Sequence, residues 1–295
     1  MTADAKLKEL ESDRSEFPSH GWIGLVLAIF FWILNWGLTG PRTYWAFFPM
    51  WLGYCLTVDG LVVRRTGTSL LTRSWRKYVG LFLLSAPVWW LFEALNLRTQ
   101  NWEYLAVGQF SSLSYAFWTT LSFSTVVPAV FGSAELFSSF DFVKRLGRGL
   151  VIKPERGVVL GFFAAGWIML GLMLFWPAIF FPFLWISVYF ILEPVNIWLG
   201  HRSLADGTKS GDWRPVISLW LGVLLTAFFW EMWNYLSLPK WIYHVPWGNW
   251  FHIFEMPLLG YGGFLPFSLE LYAVYHVVTG FLGRRGSDYV RLDFK

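Results

Sequence analysis

The feature that most constrains this chain is a series of long apolar runs. A helix of about 20 mostly apolar residues is long enough to cross the ~30 Å hydrocarbon core of a bilayer. Such runs occur near 21–39, 44–63, 79–96, 109–131, 158–176, 178–199, 215–233 and 251–281. Only 14% of the residues are charged, whereas a soluble domain carries roughly 25%. The sequence therefore predicts an all-α integral membrane protein with about eight transmembrane helices.

The residue types that support metal or cofactor binding are sparse. Cys55 is the only cysteine, which excludes an intramolecular disulfide framework and a thiolate metal cluster. The five histidines are scattered and form no His-x-x-x-His pattern. We therefore expect no metal site and no bound cofactor.

The loops between the apolar runs differ strongly in positive charge. The N-terminal tail, the loops at 64–77, 133–157 and 201–214, and the C-terminal tail carry 20 of the 23 Lys and Arg residues. The other side has only Arg42, Arg98 and Lys240. Because basic loops stay in the cytoplasm, we expect a multi-pass protein of the cell (inner) membrane with both termini cytoplasmic. The basic run at 64–77 is interpreted as an anchor on anionic lipid rather than a nucleic-acid site.

Two stretches of the sequence repeat one another. "WLFEALNLRTQNWEY" at 90–104 matches "FFWEMWNYLSLPKWIY" at 228–243, and 51–71 aligns without a gap on 185–205. In the first pair, four residues correspond in order, namely Glu93, Asn96, Trp102 and Tyr104 with Glu231, Asn234, Trp241 and Tyr243. Four helices in each half give two repeats of the same orientation, and such repeats usually form a site at their interface.

The repeat divides the chain into five parts. A cytoplasmic tail at 1–20 precedes the first membrane repeat at 21–132, and a basic linker at 133–157 leads to the second repeat at 158–282. A second cytoplasmic tail follows at 283–295. We thus expect two parallel four-helix repeats.

Six carboxylates fall inside or at the ends of the expected spans. They are Asp59, Glu93, Glu193, Glu231, Glu255 and Glu270. A carboxylate at bilayer depth costs at least ~2.5 kcal/mol, so it faces the bundle interior and finds a partner. Glu93 and Glu231 each precede an asparagine by three residues, which places both groups on one helix face. We expect Asn96 and Asn234 to donate to these carboxylates and to orient them.

An acid in an apolar environment favours its neutral form, which can act as a general acid. The alternative is that these acids only join helices through hydrogen bonds. Both interpretations stay open for Asp59 and Glu193, which lie near Arg64, Arg65 and Arg202. For Glu93 and Glu231 we favour a catalytic role, because few basic residues lie nearby. His252 and Glu255 are expected to share a face of the last helix.

Aromatic residues make up 21% of the chain, and most are expected to pack or to form interfacial belts. Some cluster near the two acids. We expect these to bind substrate, because an aromatic face stabilises a cation by roughly 0.5–2 kcal/mol. They are Trp230, Trp233, Trp90, Trp241, Tyr243, Trp102 and Tyr104.

The combined pattern resembles the lycopene-cyclase-domain superfamily of integral-membrane carotenoid and terpenoid cyclases, which consist of two homologous multi-helix units. The first half offers Glu93, "NWEY" and "FSTVVPAVFGSAE" ending at Glu135. The second offers Glu231, "KWIY", "FEMP" with Glu255, then Pro266 and Glu270. The family's P-x-E-E or P-x-E-D motif has two acids where "FEMP" has one, and "FWTTLSF" in the first half has none. The resemblance implies proton-initiated cyclisation or isomerisation of a polyisoprenoid without a redox cofactor.

Three functions remain in competition. The first is a redox-neutral acid–base enzyme acting on an isoprenoid or other hydrophobic lipid, with Glu231 and Glu93 as acid and base and Glu255 assisting. The second is a proton-coupled transporter, since carboxylates within the membrane also form proton relays. The third is a membrane scaffold. The expected partners are a lipid substrate and the surrounding membrane lipids, and no nucleic acid.

Overall fold

The computed structural model describes residues 16–283 and 288–292. Residues 1–15, 284–287 and 293–295 of the expected tails lie outside the described residues. The helices are α1 (Ser19–Gly37), α2 (Thr43–Thr66), α3 (Leu70–Arg73), α4 (Trp75–Thr99), α5 (Ser112–Phe123), α6 (Val126–Ser138), α7 (Asp141–Lys144), α8 (Arg156–Phe175), α9 (Pro177–Phe180), α10 (Ser187–Leu199), α11 (Ala205–Thr208), α12 (Arg214–Tyr235) and α13 (Tyr261–Phe281). The strands are β1 (Trp102–Leu105), β2 (Lys240–Tyr243), β3 (His252–Ile253) and β4 (Met256–Pro257).

The protein is mostly helical, and its long helices are apolar, as expected for an all-α membrane protein. Six segments are long and apolar enough to cross a bilayer: α1, α2, α4, the α5–α6 pair, α8 and α12. A seventh is added if Pro177–Trp185 and Ser187–Leu199, which meet at 41°, form one span. The last helix, α13, is not among them, because Pro266, Glu270 and His276 interrupt its apolar sequence. Eight spans therefore stay a prediction.

Two of the expected spans are broken, and a polar side chain satisfies the backbone at each break. The Ser85 hydroxyl donates to Phe123 O at 2.6 Å and accepts from Val127 N at 3.0 Å, across the junction of α5 and α6. At the start of α10, Glu270 accepts from Val188 N at 3.1 Å. Broken helices are tolerated in a membrane when the freed backbone groups find such partners.

Two of the expected boundaries are wrong. The span expected at 251–281 becomes helical only at Tyr261, because residues 251–260 form β3, β4 and a 3-10 turn. The linker expected to begin at 133 begins later, since α6 continues to Ser138. The buried residues of α6 explain its length, because Ala134 and Glu135 pack inside the bundle.

The loops assemble at two opposite ends of the bundle. At the ribbon end, β1 and β2 pair as an antiparallel two-stranded ribbon, and Thr43 N at the start of α2 donates to Leu238 O just after α12. At the tail end, residues 288–292 pack against the bundle, and the Arg73 guanidinium donates to Tyr289 O at 2.8 Å.

The two halves share three matching features. Asp59 accepts from the backbone N–H of Leu71, and Glu193 accepts from that of Ala205, twelve residues later in each case. The strands β1 and β2 each follow one long helix, α4 or α12. The ribbon register pairs Trp102 with Tyr243 and Tyr104 with Trp241, so the two Trp-x-Tyr segments occupy equivalent positions. The repeat as a whole stays a prediction.

The bundle is held together by close helix contacts at small residues. A Cβ added at Gly222 of α12 would lie 2.4 Å from Ala134 N and 2.6 Å from Ala134 Cα in α6. Such small residues let membrane helices approach until their backbones touch. The contact joins the first half to the second, because α6 and α12 belong to different halves.

We expect Gly222→Ala to lower the free energy of unfolding by about 1–3 kcal/mol, because the new methyl group overlaps the α6 backbone. The measurement is thermal unfolding of the purified protein in detergent. The matched control is Gly161→Ala in α8, where an added Cβ meets nothing within 4 Å. Alanine favours a helix over glycine by roughly 0.5–1 kcal/mol, so the control should lose no stability. Equal melting temperatures for the two variants would contradict the close contact.

Candidate functional site

The two asparagines of the repeated stretches hold the ribbon in place. Asn96 Nδ2 donates to Trp102 O at 2.8 Å, and its Oδ1 accepts from Asn101 N at 2.8 Å. Asn234 does the same in the second half, donating to Trp241 O at 2.7 Å and accepting from Trp241 N at 2.9 Å. The expectation that these amides bind the carboxylates is wrong. They position the strands that carry the tyrosines instead.

One face of the ribbon carries four aromatic side chains. Residues two apart in a strand point to the same face, so Trp102, Tyr104, Trp241 and Tyr243 lie together. Their polar atoms bind the two acids of the long helices, with Tyr104 Oη 2.6 Å from Glu93 Oε1 and Tyr243 Oη 2.7 Å from Glu231 Oε1. The repeated tyrosine thus binds the repeated glutamate in both halves.

The two glutamates differ in how completely they are satisfied. Glu93 Oε1 accepts three hydrogen bonds, from Tyr104 Oη, from Trp89 Nε1 at 2.9 Å and from Trp102 Nε1 at 3.1 Å. Three donors aimed at one oxygen suit a carboxylate anion, because hydrogen bonds to an ionised acceptor are stronger than neutral ones. The sequence did not indicate this role for Trp89.

Glu231 is more deeply buried and less well satisfied. Glu231 is only 1% exposed. Its Oε1 accepts a hydrogen bond from Tyr243 Oη. Tyr243 is itself held by Trp241 Nε1 at 2.9 Å. Among the described residues, Glu231 Oε2 has no hydrogen-bond partner. An ionised carboxylate is very costly in such surroundings, so this site suits the neutral acid.

The two tyrosines remain protonated donors. Burial, the adjacent carboxyl group and its hydrogen bond raise the pKa of Tyr104 well above its ordinary value, and the same causes raise the pKa of Tyr243. Both phenols therefore keep their protons at any physiological pH.

A cavity of about 500 Å³ lies against the aromatic face of the ribbon. Its volume falls within the range of small-molecule sites, about 300–1,000 Å³. Its walls are chiefly aromatic and come from both halves, including Tyr44, Phe47, Trp89, Trp102, Tyr104, Phe110, Tyr115, Trp118, Phe123, Phe181, Trp185, Trp230, Trp241, Tyr243, Trp247 and Phe264. Glu231 and Lys240 are the charged side chains among its described lining residues. The cavity is therefore suited to an apolar molecule that meets one acid.

The cavity takes in six of the residues expected at the site: Glu231, Trp230, Trp102, Tyr104, Trp241 and Tyr243. Glu93 does not line the cavity. It accepts a hydrogen bond from Tyr104, which does line the cavity. Two of the expected substrate-binding tryptophans lie elsewhere. Trp233 packs on Trp51 with ring centroids 5.0 Å apart, and Trp90 Nε1 donates to Thr120 Oγ1 at 3.0 Å.

The expected position of Glu255 on the last helix is wrong. It lies between β3 and β4 and forms an ion pair with Lys240. His252 lies in β3, where its Nε2 is 2.9 Å from Asn249 Oδ1, so His252 and Glu255 share no helix face. A tight two-residue turn stands where the start of the helix was expected. Glu255 does not line the cavity itself, but its ion-pair partner Lys240 does.

The remaining acids satisfy backbone and hydroxyl groups. Asp59 accepts from Ser69 Oγ at 2.5 Å and from Leu71 N at 3.0 Å, and Glu193 accepts from Ala205 N at 3.0 Å. These bonds fix the loops at the tail end. The arginines suggested as their partners bind other groups, since Arg65 donates to Ser139 Oγ at 2.7 Å and Arg202 pairs with Asp288. Their geometry favours the structural interpretation of Asp59 and Glu193.

Several lining residues could not be found from the sequence. Tyr44, Phe47, Trp118 and Trp247 lie outside the repeated stretches, and nothing in the sequence distinguishes them from the many other aromatic residues. Trp185 begins the repeated stretch 185–205, but the repeat gave no reason to place it at the site. The sequence did offer a reason to consider Lys240. It directly precedes Trp-Ile-Tyr and is one of only three basic residues expected on the non-cytoplasmic side. Among the described residues, no group of three or more His, Cys, Asp or Glu could hold a metal ion.

Comparison with known protein families, with curated proteins and with solved structures finds no match. The chemistry of this site therefore has to be argued from its own residues.

We expect Asn234→Ala to lower the free energy of unfolding by about 1–3 kcal/mol, because the backbone N–H and C=O of Trp241 lose their partner. The measurement is thermal unfolding in detergent. Asn249→Ala is the control, since Asn249 is an exposed loop residue whose loss should shift stability by less than about 0.5 kcal/mol. If Asn234→Ala melted like the control, Asn234 would not hold the ribbon.

Proposed function

We propose that this protein is a cofactor-independent, integral-membrane acid–base enzyme that cyclises or isomerises a hydrophobic isoprenoid or other lipid. The observation that carries the proposal is Glu231, a buried acid with one unpartnered oxygen in the wall of an apolar, aromatic cavity. An acid of this kind can protonate a carbon–carbon double bond, since the cavity is apolar and the basic side chain in its lining, Lys240, is paired with Glu255.

The first step transfers the Glu231 proton to one carbon of the double bond. The alkene π electrons form the new C–H bond, which leaves a carbocation on the neighbouring carbon and a carboxylate on Glu231. Tyr243 already donates to this carboxyl group at 2.7 Å, and it stabilises the anion that forms. Trp241, which donates to Tyr243 Oη, positions the phenol for that purpose.

The aromatic walls shelter the cation. The ring face of a tryptophan stabilises a positive charge by roughly 0.5–2 kcal/mol, and five tryptophans from the two halves line the cavity close to the ribbon. They are Trp89, Trp102, Trp185, Trp230 and Trp241. In a cyclisation, a second double bond of the substrate then attacks the cation and closes a ring before the charge is removed.

The last step removes a proton from the carbon next to the cation. Tyr104 lines the cavity, and its hydroxyl donates to Glu93 at 2.6 Å. The phenol oxygen accepts the substrate proton while its own proton moves to Glu93, so the C–H electrons form the new double bond. Glu93 gains the proton that Glu231 lost, and a proton has to return from Glu93 to Glu231 before the next turnover. Substrate and product have the same composition. No oxidant or reductant is needed.

We further propose that the site lies between two parallel four-helix repeats, with α13 as the last of eight spans. Support comes from the ribbon, to which each half contributes one Trp-x-Tyr strand, and from the matching loop contacts of Asp59 and Glu193. The distribution of basic loops supports a position in the cell (inner) membrane with both termini cytoplasmic. The resemblance to the lycopene-cyclase-domain superfamily agrees with this architecture and chemistry.

Proton-coupled transport is the second candidate. The observation that favours it is the bent segment of α9 and α10, at whose break the buried Glu270 binds the first turn of α10. Broken helices of this kind surround the binding sites of many secondary transporters. Under this alternative, Glu231 would carry a proton across the membrane together with the transported molecule.

We expect Glu231→Gln to reduce turnover by about 100-fold or more, because the amide has no acidic proton to donate. Membranes containing the variant are incubated with the lipid that copurifies with the wild-type protein. Product and substrate have equal mass in a redox-neutral reaction, so they are separated by chromatography before mass spectrometry.

Glu193→Gln is the matched control, since Glu193 is equally buried but lies outside the cavity and can still accept from Ala205 N as an amide. Its turnover should stay within about twofold of wild type. Full activity of Glu231→Gln would exclude the proposed acid, and loss of pH-driven flux without any conversion of lipid would favour the transporter.

We expect Tyr104→Phe to reduce turnover by about 10-fold to 100-fold, because the relay from substrate to Glu93 is lost while the ring remains. The same chromatographic assay measures it. Tyr115→Phe serves as the comparison, because Tyr115 also lines the cavity but contributes no bond to Glu93. Equal rates for the two variants would mean that Glu93 is not the base.

A further inference from the structure

The exposed part of the cavity wall is confined to one edge. Among the described lining residues, only Trp247, Leu259 and Gly262 are exposed, while the others are buried or half-buried. Trp247 is 50% exposed and Leu259 is 55% exposed. All three belong to the segment 245–262, which leads from the ribbon into α13. The cavity therefore opens at this segment.

The surroundings of the opening are apolar. Five large side chains beside it are exposed, namely Ile179, Trp250, Phe251, Ile253 and Leu258. Trp247 Nε1 donates to Ile179 O at 3.3 Å, which ties the segment to the apolar turn after α8. A water-facing surface rarely exposes so large an apolar patch.

The charged groups of the segment do not oppose contact with lipid. Glu255 is paired with Lys240, and His252 is bonded to Asn249. By contrast, the outer face of the ribbon carries Glu103 and His244, which pair at 2.9 Å and are both more than half exposed. The ribbon end thus has a polar face beside an apolar one.

The backbone limits how deeply this apolar face can lie. Residues 244–260 form two short strands and turns rather than a helix, and irregular backbone exposed to lipid does not occur within the hydrocarbon core. Tryptophan side chains prefer the boundary between head groups and acyl chains. That boundary is continuous with the lipid-facing surface of α8, which is exposed and strongly apolar.

We propose that residues 245–262 form a lipid-facing mouth, seated at the boundary between head groups and acyl chains, through which a hydrocarbon chain of a membrane lipid passes into the cavity between Trp247, Leu259 and Gly262. That the passing chain is the substrate rests on the proposed function, whereas the position of the mouth in the membrane does not.

The position is tested with a fluorescent bimane label on Trp250→Cys and, as the control, on Glu103→Cys, in full-length protein in lipid nanodiscs. Cys55 is buried and stays in place. The expected result is that doxyl-labelled phospholipid quenches the label at 250 about threefold more than at 103, and that aqueous iodide has the reverse preference. Equal quenching of both labels by iodide would overturn the proposal.

The passage is tested by narrowing the mouth. A Cβ added at Gly262 would have no atom within 4 Å, so a larger side chain fits there. The same holds at Gly161 on the lipid-facing surface of α8. Gly262→Trp is therefore compared with Gly161→Trp in nanodiscs that contain a diazirine-labelled hexadecyl chain. Mass spectrometry then measures the crosslinks between this chain and the peptide that contains Trp230, which lines the cavity.

The expected result is about a fivefold loss of these crosslinks in Gly262→Trp and less than a twofold change in Gly161→Trp. Thermal unfolding measurements verify that both variants are folded. Unchanged crosslinking in folded Gly262→Trp would overturn the proposal that lipid enters through the mouth. The crosslinking measurement does not depend on turnover. If Glu231 is not the acid, Glu231→Gln keeps its turnover, whereas if the mouth is misplaced, Gly262→Trp keeps its crosslinks, so the two failures are distinguishable.

Discussion

Every backbone polar group that leaves a helix inside this bundle has to find a partner, because lipid offers none. This constraint explains most of the buried polar side chains. Ser85 satisfies the backbone at the junction of α5 and α6, and Glu270 satisfies the first turn of α10. Asn96 and Asn234 hold the two strands of the ribbon. The breaks in the helices, the ribbon and the cavity beside it all depend on these bonds.

The same constraint separates the acids by role. Asp59, Glu193 and Glu270 bind backbone N–H groups and thereby fix loops or helix ends. Glu231 instead accepts from Tyr243 Oη and belongs to the lining of an apolar cavity. Its other oxygen has no partner among the described residues. Leaving a buried polar atom without a partner costs stability. Among the described residues, Glu193 Oε2 and Glu270 Oε2 bear the same cost. Glu231 differs from them because it lines the apolar cavity, and this position supports it as the reactive group.

Sequence reasoning located the elements that have a local signature. Long apolar runs predicted most of the helices to within a few residues. The exceptions are 251–260, where aromatic and apolar residues form turns and strands instead of a helix, and α6, which continues to Ser138 beyond the expected span at 109–131. The repeat of Glu-x-x-Asn and Trp-x-Tyr marked residues that the structure brings together at the ribbon. It did not predict that Tyr104 binds Glu93 or that Tyr243 binds Glu231. The partners of the asparagines were predicted wrongly, since spacing on a helix places two groups on one face but does not say which of them will bind.

The sequence by itself determined the membrane class, the helical architecture and the clustering of aromatic residues near Glu93 and Glu231, because hydropathy and spacing act along the chain. Only the tertiary structure decided that Glu93 is surrounded by three donors while Glu231 keeps an unpartnered oxygen. It also decided that Trp90 and Trp233 lie away from the cavity and that Lys240 binds Glu255. These outcomes depend on the pairing of β1 with β2, which brings together residues about 140 positions apart, and no local pattern encodes a contact over that distance.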